Sequence, residues 1–201
     1  VIKGYSIPNT VNNQTLVIPM SVSGNTDETL VCLQSALKTD AKILAFSSGG
    51  KMKEIAEKNN IEYIQIPMVH SPRASFSIFL FSMLKILELV LPINETEINE
   101  AINMMKKTKE LIFSKNLTDH NPALKLAEFI DKIPMIYYPF GLGSAAIRFK
   151  NSLQENAKTH AMAEDVIEAC HNGIVSWEEK NHVKPILIEG EDDHIKTKER
   201  W

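Results

Sequence analysis

The sequence predicts an α/β fold with two doubly wound parallel sheets flanked by helices, both sheets being incomplete in this chain. Short apolar runs, which are typical of strands buried on both faces, alternate with helix-like segments. The order of strand, polar turn and helix occurs in the first third of the chain and again after residue 132. Strands and helices that alternate at this spacing form βαβ units with right-handed crossovers.

The first sheet is predicted from three apolar runs, each followed by a polar turn or loop. The predicted strands are residues 16–20, 43–46 and 63–68, and the predicted helices between them are residues 27–38 and 51–59. Thr26 or Asp27 is well placed as the N-cap of the first helix. Residues 74–132 are helical almost throughout, with individual helices predicted at 74–91, 95–115 and 122–131.

The second sheet begins with a strand predicted at residues 133–138. We therefore expect a domain boundary near Lys132, with a first domain of residues 1–132 and a second of residues 133–201. The remaining elements are predicted as a helix that ends at 157, a helix at 160–170, a strand at 185–188 and a helix at 191–200. Two strands are too few to bury a core, so this domain either packs on something else or belongs to a longer protein.

Charge and composition reduce the number of functional classes to which the chain could belong. A formal net charge of −3 and a pI near 6.1 argue against a nucleic-acid-binding surface. The apolar stretch 74–91 carries Lys85 and Glu88, which favours a core helix over a membrane span. Cys32 and Cys170 lack metal-type spacing and are typical of reduced thiols. We therefore expect a cytoplasmic protein without nucleic-acid or membrane partners.

The turn Ser21-Val22-Ser23-Gly24-Asn25-Thr26 is the strongest candidate binding site. It lies between a predicted strand and a predicted helix, an order that aims free backbone N–H groups and the positive end of the helix at an anion. Three hydroxyl side chains add donors, and Gly24 allows a close approach of the backbone. The turn predicts a phosphate site; the alternative is a well-capped turn without a ligand.

Two further loops are expected at the same edge of the first sheet. Ser47-Ser48-Gly49-Gly50 follows the second strand, and His70-Ser71-Pro72-Arg73 follows the third. Ligands of open parallel sheets bind beyond the carboxyl ends of the strands. Three loops of suitable composition at one edge therefore indicate a ligand site more strongly than any one of them.

A metal site is the rival interpretation for the second half of the chain. Glu164, Glu168 and His171 would lie on one face of the helix predicted at 160–170, and Glu168-x-x-His171 has the spacing used in di-iron bundles. Such sites need a second pair of this kind and further carboxylates, and His160 is the nearest further candidate. We therefore expect neither a metal nor another cofactor.

Five segments together carry a family resemblance. They are Ser21-Val-Ser-Gly-Asn-Thr-Asp-Glu-Thr-Leu30, Ser48-Gly-Gly, Ser71-Pro-Arg-Ala74, Glu155-Asn-Ala-Lys158 and His171-Asn172. In this order they resemble the archaeal-type bifunctional phosphoglucose/phosphomannose isomerases, which are built from two sugar isomerase (SIS) domains. The resemblance extends from about residue 16 to residue 194. The first segment is shared by many SIS proteins, whereas the last two are specific to the isomerases.

Three departures from the family pattern accompany the resemblance. A preceding strand with a Gly-Gly-Ser loop is absent, and so are further strands with an active-site lysine near the C-terminus. Val22 stands where a tyrosine is frequent. The resemblance therefore implies a fragment of a longer protein.

The resemblance also implies roles for individual residues. Glu155 is the base that carries a proton between two sugar carbons, His171 opens the sugar ring in the active site of the other subunit of a homodimer, and Arg73 orients the substrate. The implied phosphate contacts are Ser21, Ser23, Thr26 and Ser48. Without the resemblance, Glu155 would be an exposed helix glutamate, His171 a capping or core histidine, and Arg73 a surface arginine.

Three functional hypotheses follow. The first is an aldose–ketose isomerase that interconverts glucose 6-phosphate, and mannose 6-phosphate as a further substrate, with fructose 6-phosphate through a cis-enediol. The second is a regulatory SIS module that binds a sugar phosphate without turnover. The third is that the complete protein is an enzyme but this 201-residue piece is inactive alone.

Overall fold

The chain forms two compact units in the computed structural model, which describes residues 1–200. The first unit is Val1–Asn94, and the second begins at Glu95. Each unit contains one of the two expected sheets, but the helices that follow Asn94 group with the second unit. The boundary predicted near Lys132, which concerns the two SIS repeats, stays a prediction.

The first unit contains a parallel sheet with its longest strand in the middle. The strands are β1 (Leu16–Val17), β2 (Met20–Ser21), β3 (Lys42–Ser47) and β4 (Glu62–Gln65). β1 and β2 replace the single strand expected at 16–20, and both pair with β3 on the same side. Pro19 lies between them and cannot donate to the ladder, although its carbonyl accepts from the Phe46 N–H at 3.0 Å.

Helices cover both faces of this sheet. They are α1 (Asp27–Ala36), α2 (Gly50–Lys58) and, after a 3₁₀ turn at Pro72–Ser75, α3 (Phe76–Leu87). Side chains of β3 alternate between the faces: Ala45 packs in a cluster with Leu33 of α1 and Met52 of α2, whereas Phe46 packs with Phe79 of α3. This three-layer arrangement confirms the predicted fold class for the first unit.

The second unit contains a three-stranded parallel sheet in the order β6-β5-β7. Its strands are β5 (Ile133–Tyr138), β6 (Met162–Asp165) and β7 (Val183–Leu187), and its helices are α4 (Glu95–Leu111), α5 (Pro122–Phe129), α6 (Gly143–Ser152), α7 (Val166–Ala169) and α8 (Ile195–Lys198). A π-helical turn at Leu153–Ala157 extends α6, and a 3₁₀ segment at Gly173–Glu178 follows α7.

The helix predicted at residues 160–170 is wrong for most of its length. Residues 162–165 form β6, which pairs with β5 from Met135↔Met162 to Tyr138↔Asp165. The Asp165 carboxylate then accepts from the Ile167 N–H at 2.8 Å and begins α7. Pairing with a neighbouring strand outweighed the local helical pattern, and the sheet has three strands in the described residues, not two.

The long helix α4 stands out because none of its described residues is buried. Apolar side chains such as Met104 and Met105 are exposed along it. The core helix expected at 74–91 forms as α3, with Phe79 and Leu87 buried. Across residues 1–200, none of the helices combines the length and apolar character needed to cross a membrane.

Candidate phosphate-binding turn and catalytic segment

The loops predicted at one edge of the first sheet do lie there. The strand register aligns Ser21 of β2 with Ser47 of β3, and Ser47 with Gln65 of β4. Because the strands are parallel, the segments that follow these three residues leave the sheet at its carboxyl edge. This is the edge at which open α/β sheets bind ligands.

The turn after β2 is held by its own hydroxyl groups. Ser21, which is only 5% exposed, accepts from the Gly24 N–H through its Oγ at 3.1 Å and lies 2.8 Å from the Thr26 Oγ1. The Ser23 Oγ accepts from the Asn25 N–H at 3.2 Å. Ser21 and Thr26 have two hydroxyl protons and use one of them between each other, so one proton remains for a ligand.

The N-terminus of α1 is oriented to receive an anion. Thr26 is the N-cap by position, yet in the described chain its side chain makes no capping hydrogen bond and contacts Ser21 instead. The first N–H groups of α1 therefore keep their hydrogen-bonding capacity at the positive end of the helix dipole. Asp27 and Glu28, both exposed in this first turn, oppose an anion, so the amides and hydroxyls must supply the attraction.

The second turn, after β3, packs directly against the first. The Ser48 Oγ donates to the Val22 carbonyl at 2.6 Å, and the Asn25 Oδ1 accepts from the Lys51 N–H at 3.0 Å. Gly24, with φ of +70°, lies so close that an added Cβ would be 1.8 Å from the Gly49 carbonyl oxygen. In this geometry the Ser48 proton joins the two turns, and its contact with a phosphate stays a prediction.

Sequence reasoning missed two residues that hold this arrangement. Ser47 is fully buried, and its Oγ lies 2.8 Å from the Gly49 carbonyl and 2.9 Å from the Tyr63 hydroxyl. Asn25 was seen only as part of a motif, yet its side chain contacts the backbone of both turns. The first serine of the Ser47-Ser48 pair would have been recognisable as the last inward residue of a buried strand.

Arg73 lies in the loop that follows β4, within the 3₁₀ turn Pro72–Ser75. The buried Ser75 fixes this loop: its Oγ accepts from the Val69 N–H at 3.0 Å and donates to the Ser71 carbonyl at 2.9 Å. The backbone is thus held on both sides of Arg73. The first unit therefore brings Ser21, Ser23, Thr26 and Ser48 together and carries Arg73 on a loop from the same sheet edge.

Glu155 lies in the second unit, within the π-helical turn Leu153–Ala157. Single π turns occur frequently at functional sites because they redirect side chains at the end of a helix. Lys158 ends the turn in the left-handed region, with φ of +57°, and its Nζ donates to the Glu155 carbonyl at 2.7 Å. The geometry therefore fixes the backbone at Glu155 from two directions.

His171 is separated from Glu155 by a strand. Glu155 lies on the return from α6 to the amino end of β6, whereas His171 follows the carboxyl end of β6 by way of α7. At about 3.3 Å per residue, the four residues of β6 span about 13 Å. β6 and α7 therefore separate His171 from Glu155 along the chain.

The residues of the alternative metal site do not share one helical face in the structure. Glu164 lies on β6, His160 precedes that strand, and Glu168 is on the short helix α7. Within residues 1–200, no group of three or more His, Cys, Asp or Glu side chains is close enough to hold a metal ion.

Comparisons with known proteins agree with the motifs. Residues 119–201 match the family model described as "Bacterial phospho-glucose isomerase C-terminal SIS domain". The chain is 33% identical over 201 residues to a bifunctional phosphoglucose/phosphomannose isomerase from Caldicellulosiruptor bescii, covering 96% of this chain and 59% of that protein. It is 31% identical over 185 residues to a D-glucosamine-6-phosphate 4-epimerase from Sulfolobus acidocaldarius, covering 89% of this chain and 56% of that protein.

Solved structures show the same fold. The crystal structure of glucosamine-6-phosphate deaminase from Thermotoga maritima superposes with a TM-score of 0.68 over 96% of this chain and 59% of that one, at 16% identity. The parallel sheets flanked by helices, and the ligand edge formed by the first sheet, define a protein of the SIS fold.

Within that class, the chain is related in sequence to the bifunctional phosphoglucose/phosphomannose isomerases, as its motifs had indicated. It spans about 60% of the length of two of these relatives.

Proposed function

We propose that this chain belongs to an aldose–ketose isomerase that interconverts glucose 6-phosphate with fructose 6-phosphate, and that also accepts mannose 6-phosphate. The observation that carries the proposal is the preformed turn after β2, in which an uncapped helix end and a spare hydroxyl proton face the same sheet edge. The names of the relatives, phosphoglucose/phosphomannose isomerases, supply the substrate class.

In this proposal, the first unit binds the phosphate group of the substrate. Its charge is matched by the N–H groups at the start of α1 and by the hydroxyls of Ser21, Ser23 and Thr26, with Ser48 as a further contact. Such contacts are equally strong for the aldose and the ketose, so they supply binding and orientation rather than acceleration of the chemical step.

Glu155 is the proposed base for the proton transfer. Its carboxylate removes the proton from C2 of the open-chain aldose, and electrons move to the O1 carbonyl oxygen to give a cis-enediolate. The O2–H proton then transfers to O1, the carboxyl group of Glu155 returns a proton to C1, and C2 becomes the carbonyl carbon of the ketose. The proton held by Glu155 exchanges in part with solvent before it is returned. Positioned bases of this kind contribute roughly 10²–10⁴-fold to a rate. The π turn and the Lys158 contact support this role because they restrict the backbone that carries Glu155.

Arg73 and His171 complete the proposed site. The Arg73 guanidinium stabilises the negative charge that develops on the enediolate oxygen. His171 transfers the proton that opens the sugar ring, a task suited to imidazole near neutral pH. We place the two SIS repeats on either side of Lys132 and the protein in the cytoplasm.

We also propose a homodimer, which the separation of Glu155 and His171 along the chain supports. Because β6 separates them in one chain, we propose that His171 acts in the site of the partner subunit. The exposed apolar side chains on α4 support association, since such surface is covered in stable assemblies. Light scattering coupled to size-exclusion chromatography measures the mass directly, and a monomer at micromolar concentration would contradict this part of the proposal.

The test of the activity is isomerisation in D₂O by the wild-type chain and by Glu155→Gln. The wild type should convert glucose 6-phosphate and incorporate deuterium at the exchanging carbon, whereas Glu155→Gln should lose roughly a hundredfold or more in kcat. Glu128→Gln is the matched control, because Glu128 is an exposed glutamate on α5. Equal rates for Glu155→Gln and the control would remove Glu155 from the mechanism.

A 4-epimerase is the second candidate, because one relative at 31% identity is named for that reaction. Incubation with glucosamine 6-phosphate separates the two: a 4-epimer identified by NMR, without a ketose product from glucose 6-phosphate, would replace the isomerase proposal. Saturable binding of a sugar phosphate without any turnover would instead favour the regulatory SIS module.

A further inference from the structure

The second unit contains a pocket that the proposed isomerase does not use. Its volume is about 250 Å³, and it lies between β5, β7, α7 and the 3₁₀ segment after α7. Aliphatic side chains such as Val166, Ile174 and Leu187 form most of its wall. A pocket that is mainly apolar with a few polar groups is the usual form of a small-molecule site, and this volume suits a molecule of one ring.

A buried phenol supplies the first polar group. Tyr137 is only 7% exposed, and its hydroxyl oxygen accepts from the Trp177 Nε1–H at 3.0 Å. Its own proton must then point away from Trp177, and within residues 1–200 it makes no hydrogen bond, although the carboxylate of Glu164, the cross-strand neighbour of Tyr137, acts on the phenol electrostatically. Burial raises the pKa of Tyr137, so this proton is retained. A buried donor without an acceptor is costly, and a ligand oxygen would remove that cost.

A positive charge supplies the second polar group. Arg200 is the one charged residue among the described side chains that line the pocket. A guanidinium favours a carboxylate, which it can bind through two parallel hydrogen bonds. The rings of Tyr137 and Trp177 pack edge to face, with centroids 6.4 Å apart and an interplanar angle of 62°, and both residues line the same pocket.

We infer that this pocket binds a small monocarboxylate with a single apolar ring or a short aliphatic chain. The apolar body lies against Ile174, Leu187 and the Trp177 ring, one carboxylate oxygen accepts the Tyr137 proton, and the charge faces Arg200. None of the residues proposed for phosphate binding or isomerisation takes part, so the inference stands or falls independently of the isomerase.

Trp177 provides the measurement. The chain contains two tryptophans, and replacing Trp201 by Phe leaves Trp177 as the only source of indole fluorescence. Phenylacetate should change this emission saturably in the range up to about 10 mM, which corresponds to weak binding by a small ligand. Phenylacetamide, which keeps the acceptor oxygen but not the charge, should bind more weakly.

Two substitutions separate the polar contacts. Tyr137→Phe should weaken both probes roughly fivefold, the usual effect of losing one hydrogen bond. Arg200→Met should weaken phenylacetate by roughly threefold, as for an exposed ion pair, and leave phenylacetamide unchanged. Tyr138→Phe is the matched control, because Tyr138 follows Tyr137 on β5 and points to the other face of the sheet.

Several outcomes would overturn the inference. They are a linear, unsaturable change in fluorescence, equal affinities for Tyr137→Phe and Tyr138→Phe, and equal affinities for the charged and the neutral probe. Thermal unfolding of each variant shows whether the substitution has damaged the fold, and two-dimensional NMR of the Tyr137 and Trp177 side-chain signals locates the probe if fluorescence responds to a distant event.

Discussion

Two segments of the molecule have the same order of strand, turn and helix, yet their turns differ in how the backbone is held. The turn after β2 is cross-linked by Ser21, Thr26 and the neighbouring turn after β3. In the turn after β5, Phe140 is 96% exposed, and no described atom lies within 4 Å of a Cβ added to Gly141. The order of elements repeats, and neither α1 nor α6 has a side-chain cap at its N-terminus. Of these two turns, however, only the one after β2 has a network of hydroxyl groups among the described residues.

The difference indicates that the proposed phosphate site depends on two turns, not on one motif. Ser48 and Asn25 join the turn after β2 to the turn after β3, and this second turn restricts the first before any ligand arrives. Preorganised donors need no reorganisation when the ligand binds, which is why they are effective. The turn after β5 lies beside the loop after β7, where Leu142 approaches Gly190, but in the described part of the chain no side-chain hydrogen bond joins the two.

The largest expected effect is that of Gly24→Ala, which adds a methyl group to the turn after β2; Gly141→Ala makes the same change in the turn after β5. In Gly24→Ala the new Cβ would lie 1.8 Å from a backbone oxygen at φ of +70°, so the turns must separate. We expect a loss of about 3 kcal/mol or more in the free energy of unfolding. Gly141→Ala, also at positive φ but in open space, should cost only about 1 kcal/mol. Urea unfolding monitored by circular dichroism measures both losses. Similar losses for the two variants would contradict the difference proposed between the two turns.

A smaller effect is expected when the hydroxyl at the helix end is removed. Thr26→Val keeps the shape of the side chain but loses the hydroxyl that lies 2.8 Å from Ser21. We expect roughly fivefold weaker binding of inorganic phosphate, measured by calorimetry. Ser144→Ala, in the first turn of α6, is the control and should bind phosphate as the wild type does. If both variants retain wild-type affinity, the first turn is a structural turn without a ligand.

The contact between Lys158 and Glu155 gives an effect that belongs to the second unit alone. Lys158→Met removes the ammonium that donates to the Glu155 carbonyl, so the π turn loses one restraint. If Glu155 is the base, kcat should fall roughly threefold with KM unchanged, because only the position of the base is altered. Lys158→Arg keeps a donor and should restore most of the rate. A change in KM alone would indicate a role in binding instead.

Much of this arrangement could be predicted from local sequence, and the failures have physical causes. β5 was predicted with its observed bounds, because a continuous apolar run needs no tertiary information. β6 was not predicted, because Met162–Asp165 has two apolar residues followed by two acidic ones, a pattern that is not typical of a strand. It forms a strand through pairing with β5. The role of Ser47 was missed for a similar reason: its partners, Gly49 and Tyr63, are defined by the fold.

The smallest expected effect is a pH dependence in the second unit, where an ion pair joins β7 to the end of α5. The Lys184 Nζ lies 3.3 Å from the Asp131 Oδ1 and 4.3 Å from the centroid of the Phe129 ring. The hydrogen bond from Lys184 lowers the pKa of Asp131. Asp131 therefore stabilises the fold above its unfolded pKa, which is about 3.9, and this contribution is lost as the pH falls through the lower, folded value.

Lys184→Met tests this dependence because it removes the ammonium group and keeps an unbranched apolar side chain at this position. The Tm of this variant should lie slightly below that of the wild type at pH 7. The difference in Tm should close in strong acid, where Asp131 is protonated in both the folded and the unfolded state. The effect is small because Asp131 is solvent-exposed and such pairs contribute little. Lys196→Met is the control, since the Lys196–Glu199 pair lies within one turn at α8. A gap that is constant with pH would assign the effect to the Phe129 contact rather than to the carboxylate, because cation–π attraction does not depend on the protonation of Asp131.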